Sequence, residues 1–326
     1  MPILLTETDV KALLTMDDLI PAMATALAAF SAKKVTQPLR TVLTVGEQNA
    51  FYGVMPAYIP GTPALGTKLV TVFSGNPSRG LPTHLATIVL LDPETGALLA
   101  LMDGRYITES RTAAVSAVSV RHLAATNASV LAIVGTGVQA RSHLEAIARV
   151  RKLEDVRIWS RTPANTDSFI AEMQPHVSCT IRKAGSAEQA VRDAGIVALA
   201  TSSKEPVIHS SWISDGTHIC AVGACRPTER EMDSALVARA DLYVDSREAA
   251  LAEAGDIVLP LKEGTITASH IKAELGEVTG GLVAGRVSAD RVTIFKSLGM
   301  AVEDVAAAHL VYERARMRGA GQEVTL

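Results

Sequence analysis

The sequence predicts an α/β protein: a doubly wound parallel sheet inserted in a second domain of mixed α+β structure. Three observations carry this. The run Ser129-Val-Leu-Ala-Ile-Val134 is apolar on both faces, stops at the turn Gly135-Thr136-Gly137, and is followed by a helical pattern from Val138. From Ala128 onward, strand-like and helix-like segments alternate regularly, as in a sheet covered by helices on both faces. Up to residue 122 the order differs, with helices first and then a series of strands.

Taken in order, Thr6-x-x-Asp9 and Thr15-x-x-Asp18 read as two helix starts, with apolar positions at helical spacing as far as Phe30. Strand-like segments follow at 52–55, 66–73, 83–91 and 97–102. The last two flank Asp92-Pro93-Glu94-Thr95-Gly96, a turn sequence, and form a hairpin. Thr108 opens a helix rich in Ala and Val that runs to about Leu123. Lys68 falls in an alternating strand on the same side as Gly66, Val70 and Val72. A lysine on an apolar face usually has a reason to be there.

The run 129–134, its glycine turn and the helix 138–150 together read as a Rossmann-type dinucleotide site rather than a structural turn alone. Gly135 permits the turn, and Gly137 lets the backbone approach a pyrophosphate. Ala140 lets helix and strand pack closely, and the helix start presents N–H groups to the anion. Thr136, Val138 and Gln139 complete this cradle. The next strand, 156–160, ends in Ser160-Arg161-Thr162 where an NAD site would carry Asp or Glu for the ribose 2′-hydroxyl. A carboxylate there would repel a 2′-phosphate, whereas a guanidinium and two hydroxyls suit one. Asp155 lies at the wrong end of the strand to substitute. The expected cofactor is therefore NADP(H), with NAD(H) as the other option.

Further strands are expected at 179–182, 196–200, 218–222, 242–244 and 292–295. Thr201, Val222-Gly223 and the loop Lys296-Ser297-Leu298-Gly299 sit at or just after strand ends, where the ligand crevice of such sheets lies. A last helix follows, with Val302, Val305, Ala306, His309 and Leu310 on one stripe and charges elsewhere. It packs back on the first domain in this reading, which gives a discontinuous domain, 1–122 and 301–326, and an inserted dinucleotide domain, 123–300.

The bulk numbers fit a globular chain with two substantial cores: 326 residues, 48% hydrophobic, 20% charged, formal net charge −3. No basic patch points to nucleic acid, and no apolar run approaches a membrane span. Without a leader-like N-terminus, and with Cys179, Cys220 and Cys225 read as reduced thiols, the expected location is cytoplasmic. The histidines and cysteines show no metal-ligand spacing.

Several motifs resemble the ornithine cyclodeaminase/mu-crystallin family almost end to end. They include Gln37-Pro38-Leu39-Arg40-Thr41, Gly53-Val54-Met55-Pro56-Ala57-Tyr58, Thr67-Lys68-Leu69-Val70, Met102-Asp103-Gly104, Arg111-Thr112-Ala113-Ala114, Tyr243-Val244-Asp245-Ser246 and the stretch from Phe295 to Asp304. Arg157-Ile158-Trp159-x-Arg161-Thr162 and Val222-Gly223-Ala224-x-Arg226-Pro227 resemble its mu-crystallin branch, whose members are ketimine reductases. The resemblance implies a homodimer formed mainly through the substrate domains, and a substrate carboxylate gripped by Arg40, Lys68 and Arg111. It matches His84 to a histidine near that site and sets Thr112 with the cofactor residues. Cyclodeaminases of the family carry an aspartate in a Gly-Asp-Cys-Pro-Gly-Lys-type segment. Here the segment is Gly223-Ala224-Cys225-Arg226-Pro227, with alanine at the aspartate's place. Glu229 and Glu231 are expected to lie exposed before the next helix, and Glu253 to Asp256 to form a helix end and turn rather than a catalytic acid pair.

The resulting expectation is NADPH-dependent reduction of a small cyclic 2-imino acid, such as Δ1-pyrroline-2-carboxylate or Δ1-piperideine-2-carboxylate, to L-proline or L-pipecolate. Ornithine cyclodeaminase or alanine-type dehydrogenase activity, and a non-catalytic small-ligand binder, remain as alternatives. Guanidinium groups suit the carboxylate because they bind it bidentately. Lys68 is either carboxylate anchor or proton donor.

Overall fold

The computed structural model describes residues 1–46 and 50–325. The chain divides into two compact units, residues 1–111 with 300–326, and residues 112–299. The sequence reading set the borders at 122/123 and 300/301. The division at 111/112 lies inside the helix Arg105–Leu123, and 122/123 lies at the end of the same helix.

In the first unit, seven strands among the described residues form one sheet. They are β1 (Ile3–Leu5), β2 (Thr41–Val45), β3 (Ala50–Ile59), β4 (Ala64–Val72), β5 (His84–Leu91), β6 (Leu98–Asp103) and a C-terminal strand, Gln322–Glu323. Their spatial order is C-terminal strand, β1, β6, β5, β4, β3, β2, antiparallel except for β1 beside β6. The middle strands alternate between buried and part-exposed residues, as a sheet with one covered face requires. Helices α1 (Glu7–Leu13) and α2 (Met16–Ser31) begin where the threonine caps predict. Thr6 and Asp9 form a reciprocal capping box, and the Thr15 hydroxyl donates to Asp18. Helix α3 spans Arg105–Leu123 and begins one turn before Thr108, because Asp103 Oδ1 accepts the Tyr106 N–H at 3.0 Å and caps it. Arg111 is therefore two turns into the helix.

The C-terminal helix, Ala301–Arg318, packs on β3, β4, β5 and α2. Its inner face departs from the expected stripe. Val302 and Val305 are buried as predicted, but His309 and Leu310 are only half-buried, and Ala308, Val311 and Ala315 extend the apolar face. The charges do not all face outward, since Glu303 and Asp304 are fully buried. They have cationic partners on the sheet and on α3, described below, and apolar periodicity alone does not reveal such pairing.

In the second unit, eight strands among the described residues run parallel. They are β7 (Val130–Val134), β8 (Asp155–Trp159), β9 (Thr180–Lys183), β10 (Ile196–Leu199), β11 (His218–Ala221), β12 (Asp241–Val244), β13 (Ile271–Glu274) and β14 (Thr293–Lys296). The order is β13, β12, β14, β11, β10, β7, β8, β9. The chain runs outward from β7 through β8 and β9 and returns on the other side of β7 as β10, so the switch point lies between β7 and β10. Leu131 and Ile133 pack with Leu144, Ile147 and Phe169 on one face, and Ala132 and Val134 with Leu199, Ile219 and Leu236 on the other. Burial on both faces explains why this strand reads as an unbroken apolar run.

A buried polar seam joins the second half of α3 to this sheet. His143 Nδ1 donates to Gln139 O at 2.7 Å, so its Nε2, 2.8 Å from Ser116 Oγ, accepts from that hydroxyl. His218 lies 3.0 Å from Ser119 Oγ and 2.9 Å from Thr293 Oγ1. Burial pushes both imidazoles down, to about 4 for His143 and about 3 for His218. An unfolded histidine titrates near 6.5, so the unfolded chain binds more protons than the folded one below that pH. Stability is complete above it and is lost as pH falls, by up to about 2.7 kcal/mol per pH unit from these two groups between 6.5 and 4. Urea midpoints measured from pH 7.5 to 4.5 should drop accordingly, and His143→Gln should reduce the slope. A pH-independent midpoint would contradict this assignment.

Candidate active site

The dinucleotide cradle is built on the end of β7. Gly135 has φ +111°, and a Cβ there would collide with Ala200 O just beyond β10, so only glycine fits the switch point. Gly137 is the exposed N-cap of α4 (Val138–Val150), and a Cβ on it would meet no protein atom within 4 Å. The first turn of α4, opening with exposed Val138 and half-buried Gln139, aims its N–H groups outward from this point. Arg141 holds the loop from behind, donating to Thr136 O at 2.5 Å. This geometry fits a pyrophosphate.

At the end of β8, Ser160 Oγ donates to Thr162 O at 3.0 Å, and Thr162 is the N-cap of α5 (Pro163–Met173). Arg161 and Thr162 are exposed. Asp155 sits at the other end of β8, held by Arg157 and Arg182, and Asp167 is held by Lys183 at 2.7 Å. No carboxylate stands between Trp159 and Thr166.

The remaining strand ends are tied by acids to which the sequence reading gave no role. Glu231, expected to be exposed, is fully buried. Its carboxylate accepts from Thr201 N at 2.7 Å, Thr201 Oγ1 at 2.8 Å and Gly223 N at 2.8 Å. Burial pushes this carboxyl up, and Lys296 opposes that push. Those three backbone and hydroxyl donors are what draw the glutamate inward. Glu229 is part-buried beside Arg226. Asp256 is also buried; it accepts from Glu231 N at 2.7 Å and pairs with Lys296 Nζ at 2.9 Å, both side chains fully enclosed. It opens the helix Gly255–Lys262 and is a structural ion-pair partner. Asp245, following β12, accepts from Leu298 N at 2.6 Å and Gly299 N at 2.7 Å, with Ser297 Oγ at 3.4 Å. The N–H groups of Gly223, Leu298 and Gly299, residues expected beside the cofactor, donate to these carboxylates. Thr201 and Val222 shape the same rim, and Thr112 is buried in α3. Cys179 and Cys220 are buried and Cys225 is exposed. Among the described residues no His, Cys, Asp and Glu group of three or more is arranged for a metal.

In the first unit, Lys68 is 2% exposed and its Nζ lies 2.6 Å from Asp304 Oδ2. Arg111, 3% exposed, directs Nε to Asp304 Oδ1 at 2.9 Å and Nη1 to Glu303 Oε2 at 2.5 Å. Glu303 and Asp304 occupy the first turn of the C-terminal helix, where the helix dipole favours negative charge. The cluster balances two cations with two anions on the covered face of the sheet. Burial pushes the Lys68 ammonium down to about 8, with Asp304 opposing. His84 starts β5 opposite Val72, on the same face as Lys68. Burial pushes it down to about 4, helped by Lys68 and Arg111. Arg40 lies one residue before the Thr41↔Val54 pair, in line with the Met55↔Lys68 pair of the next two strands. Lys68, His84 and Arg40 therefore line up on one face of the sheet, and Arg111 reaches the same cluster from α3 through Asp304 and Glu303. The sequence reading gave Glu303 and Asp304 no role at the site; the available signal was a pair of acids in the first turn of a helix that opens with Ala301-Val302.

The family model of the ornithine cyclodeaminase/mu-crystallin family matches residues 1–319. The chain belongs to the ornithine cyclodeaminase/mu-crystallin family. Among family relatives, the ketimine reductase mu-crystallin of Rattus norvegicus is 45% identical over 298 residues, 90% of this chain and 91% of that protein. The Δ1-pyrroline-2-carboxylate reductase of Thermococcus litoralis, solved with NADH and L-proline, superposes with a TM-score of 0.97 at 40% identity, covering 99% of this chain and 100% of that one. An archaeal alanine dehydrogenase dimer with bound NAD gives 0.94 at 33% identity, covering 99% of each chain. Against this family background Ala224 is notable. It is 1% exposed, and Arg226 beyond it is exposed and turned to Glu229.

Proposed function

We propose that this chain reduces cyclic 2-imino acids with a nicotinamide dinucleotide, NADPH in preference to NADH. The observation that carries the reading is the buried group Lys68, Arg111, Glu303 and Asp304, charge-balanced and set on one sheet face in line with Arg40. In this reading Arg40, Lys68 and Arg111 hold the substrate carboxylate, and the Gly135–Gln139 turn holds the pyrophosphate. The bound dinucleotide supplies the hydride. Deamination with ring closure needs an acid to manage a second amine and a leaving group. Ala224 has none to offer, and Glu231, the carboxylate tied to the neighbouring Gly223, is already engaged by three donors. The NADPH preference rests on Arg161 and the lack of a carboxylate beside it. The proposal includes a homodimer, supported by edge strand β2. All five of its residues are exposed, Leu43 by 54%, and it is an apolar sheet edge of the kind proteins normally cover.

Purified protein should consume NADPH with Δ1-pyrroline-2-carboxylate or Δ1-piperideine-2-carboxylate and release no ammonia from L-ornithine with NAD. Arg161→Ala should raise the KM for NADPH about 10–150-fold, the equivalent of one charged hydrogen bond, and change that for NADH little. Equal losses for both cofactors would overturn the NADPH assignment. Robust conversion of ornithine to proline would overturn the reductase assignment.

A further inference from the structure

Reducing an imine requires a proton as well as a hydride, and on the covered face of the first unit's sheet a fully buried acid, Asp304, is shared by two buried cations. Asp304 gives Oδ2 to Lys68 Nζ at 2.6 Å and Oδ1 to Arg111 Nε at 2.9 Å. Its neighbour Glu303 serves Arg111 Nη1 and lies 3.3 Å from Met300 N, with no direct bond to Lys68 among the described contacts. We propose that Asp304 is the positioning residue of the substrate site, bridging Lys68 and Arg111 so that Lys68 stays protonated with its Nζ fixed and donates the proton taken by the imine nitrogen. The inference rests on the reductase reading above. As hydride forms the C–H bond, the C=N π pair moves to nitrogen and takes a proton from Lys68 Nζ. Lys68 is left neutral and regains its proton from water, while Asp304 stays ionised throughout.

The groups facing Lys68 support this division of labour. The C-terminal helix brings Asp304 and Glu303, α3 brings Arg111, and β5 brings His84. His84 is held neutral near pH 7, so it adds no second positive charge. Burial and Arg111 both push the Lys68 proton off, and Asp304 is the largest influence retaining it. Asp304 sits in the first turn of its helix, where the helix dipole favours negative charge.

The test follows Lys68 directly, by the 15N signal of its Nζ in protein without substrate, alongside the pH profile of imine reduction. In Asp304→Asn both the Nζ titration and the alkaline limb of kcat should move down by about 1–3 pH units, the usual effect of one adjacent opposite charge. The kcat at pH 7.5 should fall with the protonated fraction of Lys68, about threefold for a shift of one unit and more than about 100-fold for three, and the dissociation constant for NADPH should hold. Glu303→Gln should move the Lys68 titration by less than about half a unit. Should Asp304→Asn not fold, the wild-type protein carries the test: the Asp304 carboxyl carbon should report the same midpoint as Lys68 Nζ. Separate midpoints, an unmoved titration in Asp304→Asn, or equal shifts in both variants would overturn the proposal. Because the Nζ titration needs no imine, an inactive wild-type protein would count against the reductase reading and leave this measurement readable.

Discussion

Lys68→Met should abolish most turnover while leaving the protein folded and able to bind dinucleotide. Methionine has nearly the length of lysine and suits a site that is 2% exposed. The carboxylate that loses its lysine keeps a counterion, because Arg111 Nε remains 2.9 Å from Asp304 Oδ1. The usual cost of leaving a buried charge unpaired is thus largely avoided. What disappears is the only ammonium described in the cluster, and with it the proton donor and one anchor of the substrate. Loss of a positioned acid reduces kcat by about 10²–10⁴-fold. Steady-state assays with a cyclic imine and NADPH, beside a direct NADPH titration, separate the two effects. Turnover within tenfold of wild type at saturating substrate would make Lys68 a structural lysine.

The largest effect on stability is expected at Lys296, with the opposite logic. Lys296 and Asp256 are both fully enclosed, and Glu231 is close enough to bias the same lysine. Burial works against the charge on Lys296, but Asp256, Cys225 and Glu231 outweigh it and hold the ammonium above the ordinary lysine range. Lys296→Met removes the one cation paired with Asp256 among the described contacts, so Asp256 and Glu231 keep their hydrogen-bond donors but lose the buried positive charge between them. Breaking a buried pair from one side costs about 3–5 kcal/mol. Urea denaturation should show that loss at pH 7, and adding Asp256→Asn should recover part of it. A change below about 1 kcal/mol would mean that water or another cation serves the site.

The central sheet of the second unit was legible because its strands are buried on both faces and its turn needs glycine at one strained position. Ser129 to Gly137 announces both facts without reference to the rest of the chain. Lys68 was legible for a related reason: a charged side chain on an apolar face must have a partner. The partner itself was hidden. Asp304 lies far along the chain from Lys68, and one helix of alanines, valines and charges gives no sign of which charges turn inward. Glu231 was misread for the same cause. A glutamate before a short helix is exposed unless backbone N–H groups wait for it, and the Thr201 and Gly223 donors that draw it in come from two other strand ends. Edge elements were lost differently. Strand β2 is apolar but exposed at all five positions, without the alternation of buried and exposed residues, and β13 is four residues long and carries Lys272 and Glu274, so neither shows the pattern that marks a strand.

Loops at the strand ends of a doubly wound sheet are ordinarily where such proteins drift, lengthening and shortening as lineages diverge. Here Glu231, Asp256 and Asp245 stitch the ends of β10, β11, β12 and β14 to one another through backbone amides. Inserting even one residue after any of these strands would misalign an N–H from a carboxylate with nowhere else to go. A change at this rim that keeps the stitching intact must therefore replace side chains and leave the loop lengths as they are.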